Sequence, residues 1–300
     1  MTQLQKYTWL IDTIRRAGKI SLEELSDKWE RDKDMSDYKP LSRATFNRWK
    51  DAICSQFGII ISCQRAGGYL YYIENPEELE NNDLKKWMLD SFAVGNIIGE
   101  NLSLKGRILV DSIPSGRYHL TTILDAMKEN HMVEITYKAF YKDKGSTFKI
   151  EPYCVKLFAN RWYVVAYNIK YDDIRSYALD RIETANILED TFKMPKDFSA
   201  EEYFSSFYGI VTCDGKPERI VIRASSNHTP YLKSLPLHHS QRLLEDNGEY
   251  ADFELYLVPT YDFIMGLLQV GSMIEVLEPA SLRREMKGWS RELYNLYKND

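Results

Sequence analysis

Asn160-Arg161-Trp162-Tyr163-Val164-Val165-Ala166-Tyr167, followed by Arg175-Ser176-Tyr177-Ala178-Leu179-Asp180-Arg181-Ile182, carries the pattern on which the fold turns. In the first run Trp162, Val164 and Ala166 alternate with Tyr163, Val165 and Tyr167, so a strand here is apolar on both faces. Arginines punctuate the pair of runs at Arg161, Arg175 and Arg181. A β-unit that interleaves aromatic rings with fixed cations suits anionic, base-bearing ligands. Arginine supplies bidentate phosphate contacts and tyrosine supplies stacking faces.

The chain has 300 residues, of which 44% are hydrophobic and 28% charged, room for two or three folded domains. No run approaches the length of a membrane span, and Met1–Lys6 lacks the basic start and apolar core of a secretory signal. Cys54, Cys63, Cys154 and Cys213 are scattered without Cys-x-x-Cys pairing, so reduced thiols and a cytoplasmic location are expected. The five histidines show no zinc-ligand spacing. The net charge of −5 is unevenly spread: residues 1–75 hold 12 Lys and Arg against 10 Asp and Glu, whereas residues 201–300 hold 10 against 15. The local patch, not the total, decides nucleic-acid binding.

Leu4, Tyr7, Leu10, Ile11 and Ile14 are spaced as one face of a helix that Gly18 stops. Ser21-x-x-Glu24 is a capping box opening a second helix through Leu22, Leu25 and Trp29. Ser42 caps a third, running to Phe57 with Gly58 as its stop. Two apolar runs, Ile59–Ser62 and Tyr69–Ile73, joined by Cys63-Gln64-Arg65-Ala66-Gly67-Gly68, read as a β-hairpin. Three helices and a hairpin make a winged helix-turn-helix plan. On the third helix Phe46, Trp49, Ile53 and Phe57 share a face. The other side and the N-terminal end carry Ser42, Arg43, Thr45, Asn47, Arg48 and Lys50. With Arg65 on the hairpin, these are the candidate DNA contacts, Asn47 for adenine and Ser42 and Thr45 for phosphates or thymine methyls. A merely solvated basic face is the alternative.

Pro76 and the acidic run to Asp83 read as a hinge, followed by a helix over Leu84–Ile98 and another over Leu120–Lys128. Strands are expected near Met132–Tyr137, Phe148–Leu157, Arg161–Asn168, Arg175–Leu179 and Ile182–Leu188. Within them, Tyr137, Glu151-Pro152-Tyr153, Arg161-Trp162-Tyr163, Arg175 and Asp180-Arg181-Ile182 together resemble the WYL domain over about sixty residues, with Val164 where the family has leucine. The resemblance implies a small Sm-like or SH3-like β-barrel of bacterial transcriptional regulators, some of which bind single-stranded DNA. Ser42-Arg43-Ala44-Thr45-Phe46-Asn47-Arg48 is similar to the recognition helix common ahead of WYL domains, departing at Trp49, where an aspartate is usual. Trp162 reads as core and Asp180 as a structural cap or arginine partner. Arg161, Arg175 and Arg181 read as ligand contacts, and Tyr137 and Tyr163 stand open between core and stacking platform.

The last hundred residues show a β-α-β-β-α-β-α order resembling the WCX extension that follows WYL domains. Its final helix bears a basic stripe, Arg283, Lys287 and Arg291, in an acidic setting; Arg283 and Lys287 are further candidate ligand contacts, a solvated face being the alternative. The expected class is therefore α+β and multidomain: a winged helix-turn-helix at 1–75, a helical linker at 76–118, a WYL-like β-barrel at 119–194 and an α/β sandwich-like WCX extension at 205–300. No phosphate-loop, dinucleotide, zinc-protease or nucleophile-elbow motif occurs, so neither catalysis nor a metal or other cofactor is expected. The leading expectation is a homodimeric regulator binding double-stranded operator DNA and sensing a single-stranded nucleic acid or nucleotide. An RNA- or single-strand-binding adaptor built on the barrel is one alternative, and a nucleotide hydrolase using carboxylates such as Asp180 is another.

Overall fold

The computed structural model describes residues 3–31, 36, 39–65, 68–79, 83–100, 107, 109 and 116–298. Ala66 and Gly67 of the expected hairpin turn, part of the acidic run, and much of the expected linker lie outside them. The chain divides into two compact units, Met1–Asp111 and Ser112–Asp300.

In the first unit α1 (Gln3–Ala17), α2 (Leu22–Arg31) and α3 (Arg43–Phe57) precede an antiparallel hairpin of β1 (Ile61–Gln64) and β2 (Leu70–Ile73). The helix limits are set by local chemistry. The Glu24 amide donates to Ser21 Oγ at 3.2 Å while the Ser21 amide donates to the Glu24 carboxylate at 2.9 Å, a reciprocal cap. Ser42 Oγ accepts from the Thr45 amide at 3.2 Å, and Gly58, at φ 68°, ends α3 with its amide on Cys54 O. Trp9, Trp29 and Trp49 bring one ring from each helix into an edge-to-face chain with centroids 5.0 Å apart, a geometry that adds to area burial. The hairpin is pinned by Ile20, which bridges Tyr71. Asn75 holds both Gly58 O and the Ile60 amide at 2.8 Å. After a 3-10 turn at Pro76–Leu79, α4 (Asp83–Glu100) returns Leu89 to the same core, where Leu79 is also buried.

The second unit begins with α5 (Arg117–Glu129), ended by Asn130 at φ 55°. It packs Ile123 and Ala126 on a five-stranded antiparallel sheet of β3 (His131–Tyr137), β4 (Ser146–Phe158), β5 (Arg161–Asn168), β6 (Asp173–Ala178) and β7 (Ile182–Thr191), in the order β6-β5-β4-β3-β7. The closed barrel expected from sequence is not formed: β6 and β7 are edges, with no ladder between them. Yet only Leu179–Arg181 separates the end of one edge from the start of the other. Three residues reach about 15 Å, whereas five flat strands span about 19 Å, so the sheet curls until its edges approach at that turn. Bulges at Pro152/Cys154 and along β3–β7 provide the bending. Alternation locates strands but leaves closure to such bends.

A second antiparallel sheet, β11-β8-β10-β9, is built from β8 (Glu218–Ser225), β9 (Arg242–Asp246), β10 (Tyr250–Leu257) and β11 (Ile274–Glu278). Helices α7 (Thr229–Ser234), α8 (Tyr261–Gln269) and α9 (Ala280–Tyr297) bury Leu232, Phe263, Ile264, Leu267 and Leu282 against Ile220, Ile222, Phe253 and Leu255. Between the sheets lies α6 (Ala200–Phe204), a one-turn helix capped by Ser199 that the sequence reading did not anticipate.

Candidate nucleic-acid and ligand surfaces

On α3 the four apolar residues Phe46, Trp49, Ile53 and Phe57 are all buried, which fixes the rotation of the helix. Ser42, Arg43, Asn47 and Arg48 are then exposed, Thr45 and Lys50 are half-buried, and Arg65 is exposed beyond β1. Two of these residues also serve the fold. Ser42 is the cap, and Arg43 reaches the Tyr71 hydroxyl, whose proton affinity burial raises and the guanidinium partly lowers. Arg48 projects near the middle of the exposed face and Asn47 from its flank. This surface can offer donors and cations to a phosphate backbone and to base edges.

At the curl of the first sheet, the turn Leu179–Arg181 gathers the second surface. Arg161 Nη1 lies 3.3 Å from Asp180 Oδ2. The guanidinium carbons of Arg181 and Arg161 stand 4.0 and 5.8 Å from the centre of the Phe140 ring, which is 74% exposed. Tyr137 reaches Arg181 with its hydroxyl and packs edge-on against Tyr177 at 5.1 Å. Burial raises the pKa of that hydroxyl, with Arg181 opposing, so it remains a neutral donor or acceptor at physiological pH. Two arginines, an exposed ring, a phenol and one acid thus meet on one patch, and the loop leading from it adds exposed Tyr141, Lys142 and Lys144. Cation–aromatic contacts at an exposed ring of this kind are worth about 0.5–1 kcal/mol.

The expected ligand residues separate into those this patch contains and those it does not. Tyr137, Arg161 and Arg181 meet there. Arg175 lies elsewhere on the edge strand β6, 3.4 Å from Asp173 and 4.1 Å above the Tyr171 ring. Tyr163 is half-buried, in register with Lys156 and Ala178. Asp180 is the partner of Arg161. In the WYL-like triplet Glu151-Pro152-Tyr153, Pro152 and Tyr153 are buried and the Tyr153 hydroxyl faces Glu151 at 3.4 Å; burial pushes that phenol up to about 12. Phe140 was not among the expected residues, since it lies in a loop with no periodicity to flag it; its only signal was the adjacency of Phe140-Tyr141 to lysines. Asn168 was missed too: fully buried, it donates to the Tyr177 hydroxyl at 2.6 Å and accepts the Lys170 and Tyr171 amides, holding the β5–β6 turn.

The basic stripe of α9 borders a groove of about 700 Å³ beside β11, floored by Leu268, Ile274, Val276 and Met286. Arg283 is largely committed to the fold, donating to Val276 O at 2.6 Å and pairing with Glu275 at 2.7 Å, while Lys287 lines the groove.

A strap over 199–211 ties the two sheets of the second unit together. Lys156 Nζ donates to Gly209 O at 2.7 Å and sits 3.7 Å from the centre of the Phe204 ring. Asp262 Oδ2 accepts from the Ile210 and Val211 amides at 2.7 and 3.1 Å. Phe158, Tyr208 and Phe263 continue the contact as a file of rings. Burial pushes the Lys156 ammonium down to about 8, with Asp262 opposing.

No helix among the described residues is long and apolar enough to cross a membrane, and no group of three metal-ligating side chains is gathered among them.

Residues 118–187 match the family model described as the WYL domain, and residues 216–294 the one described as the WCX domain. The strap lies between the two matches. Among solved structures the chain is similar to Proteasome accessory factor B/C (PafBC) of Arthrobacter aurescens, with 17% identity and a TM-score of 0.31 over 85% of this chain and 42% of that one. The chain therefore spans less than half the length of that relative. It is also similar to a CRISPR Cas-related protein, with 10% identity and a TM-score of 0.41 over 100% of this chain and 87% of that one. No curated protein matches.

Proposed function

We propose that this chain, which carries a WYL domain followed by a WCX domain, is a DNA-binding transcriptional regulator whose WYL domain senses a single-stranded nucleic acid or a nucleotide. In this reading the first unit is a winged helix-turn-helix head. The observation that carries it is the rotation of α3, which buries Phe46, Trp49, Ile53 and Phe57 and leaves Asn47, Arg48 and the capped N-terminal turn exposed beside a hairpin bearing Arg65. A buried indole chain anchors that helix, so its outer face is presented rigidly, as groove reading requires. One such head contacts few base pairs, and a homodimer placing two on a pseudo-palindrome supplies the specificity.

The sensing half of the proposal rests on the patch around Phe140: Arg161 and Arg181 for phosphate, Phe140 for stacking, Tyr137 as a polar anchor. Ligand there favours one placement of the paired heads, and so shifts operator affinity. Arg175, Tyr163, Arg283 and Lys287 have secondary roles at most, because the first and third already have protein partners and none belongs to the Phe140 patch.

The test is a gel shift on duplex from the gene's own promoter, at several salt concentrations. Arg48→Ala and Asn47→Ala should each weaken binding by roughly 1–3 kcal/mol and relax preference at one base pair, with unchanged thermal stability. Undiminished affinity in both variants would remove α3 as the reader.

A further inference from the structure

Two buried polar atoms on successive residues of the Leu179–Arg181 turn have no hydrogen-bond partner: Asp180 Oδ1, an acceptor, and Arg181 Nε, a donor. Such groups cost free energy unless something satisfies them. Their setting is rigid. Leu179 is fully buried, and Gly116 is packed so closely that an added Cβ would lie 2.7 Å from Leu179 Cβ and 3.2 Å from the Asp180 amide nitrogen. Against the Arg181 guanidinium stands the mostly exposed Phe140 ring, its centre 4.0 Å from the guanidinium carbon.

We infer that Asp180 and Arg181 read the edge of a guanine base, with Phe140 shifting from the guanidinium to the face of that base. This rests on the nucleic-acid reading of the patch and adds base selectivity to it. The choice among bases follows from the order of donors and acceptors. A carboxylate accepts only, and a guanidinium donates only. Guanine places two donors, N1–H and the N2 amino group, side by side, with the O6 acceptor next to them. It can meet the carboxylate with donors alone while O6 turns to Arg181. Adenine and cytosine set a ring-nitrogen lone pair beside their amino group, and thymine flanks its single N–H with two carbonyls, so each brings a lone pair against Asp180. Arg161 remains on the other carboxylate oxygen, holding the carboxylate in orientation, and is placed to hold the adjoining phosphate.

The experiment uses the full chain and labelled single strands about five nucleotides long, thymine throughout except for a central G, A, C, T or inosine, with binding followed by fluorescence anisotropy. The G strand should bind about tenfold more tightly than the others, the scale of one good bidentate base contact. Inosine, which lacks the N2 amino group, should lose most of that advantage in the unaltered protein. Asp180→Asn should abolish the preference for the G strand over the other four. Equal binding of all strands, or a G preference that survives Asp180→Asn, overturns the base assignment and leaves the ligand patch standing. Binding of no strand at moderate salt overturns the patch itself, and the base assignment with it.

Discussion

Gly209→Ala tests the strap that joins the WYL sheet to the WCX domain. A Cβ on Gly209 would stand 2.6 Å from Phe158 Cζ and closer still to Asp262 Oδ2. Backbone and ring cannot both yield, so the Asp262 carboxylate is driven from the Ile210 and Val211 amides that it holds at 2.7 and 3.1 Å. Hydrogen bonds to a charged group contribute about 1.5–3 kcal/mol each, and losing two at the lower figure gives about 3 kcal/mol. Shifting Gly209 O also strains its bond from Lys156, which adds to the total. Asp262→Ala removes the same two bonds and should cost a similar amount. The double variant should then lose much less than the sum of the two, a coupling of about 2 kcal/mol, because both act through one carboxylate. Urea unfolding of the full chain, followed by tryptophan fluorescence, gives the three free energies. A cost below about 1 kcal/mol for Gly209→Ala, or strict additivity, would refute the strap as described.

Ser42→Ala should destabilise the head by about 1 kcal/mol through loss of the cap on the Thr45 amide, read as a lower melting temperature. Stability should also respond to pH through Lys156. Its ammonium titrates near 8 in the folded chain against an ordinary 10.5, so above pH 8 the unfolded chain holds more protons and stability rises. Cys154, pushed by burial from 9.0 up to about 11, acts with the opposite sign above pH 9. The rise is therefore confined to about pH 8–9, and after allowance for the partial exposure of Lys156 it amounts to about 0.5 kcal/mol. Lys156→Met should flatten it in urea titrations at pH 7.5, 8.0, 8.5 and 9.0; an identical rise in the variant would exonerate Lys156. Light scattering at micromolar concentration should give twice the chain mass, and a monomer with and without DNA would contradict the paired-head reading.

What could be read from sequence was what neighbours along the chain decide. The Ser21–Glu24 box, the Ser42 cap and the Gly58 stop involve residues at most four apart, and each was readable before the fold was known. So was the alternation that sends Trp162, Val164 and Ala166 into one core. What stayed hidden depends on contacts between distant residues. The curl of the open sheet rests on bulges and on a three-residue turn, which periodicity does not report. The commitment of Arg283 to Val276 O and Glu275 needs β11 and α9 to be docked. The Lys156–Gly209 contact spans fifty-three positions, and in sequence Lys156 is one polar residue among apolar ones. Phe140 belongs to a loop, and its importance comes from the arginines that the curl of the sheet brings to it from β5 and the 179–181 turn.

Promoter occupancy tests the central claim most directly. The full chain would be titrated onto its own promoter duplex, with and without short single-stranded DNA, alongside an Arg161→Ala/Arg181→Ala variant. The account predicts that the single strand changes the occupancy of the parent protein, and that the variant binds duplex normally but ignores the strand. Occupancy untouched by the strand, or a variant that responds as the parent does, would contradict it.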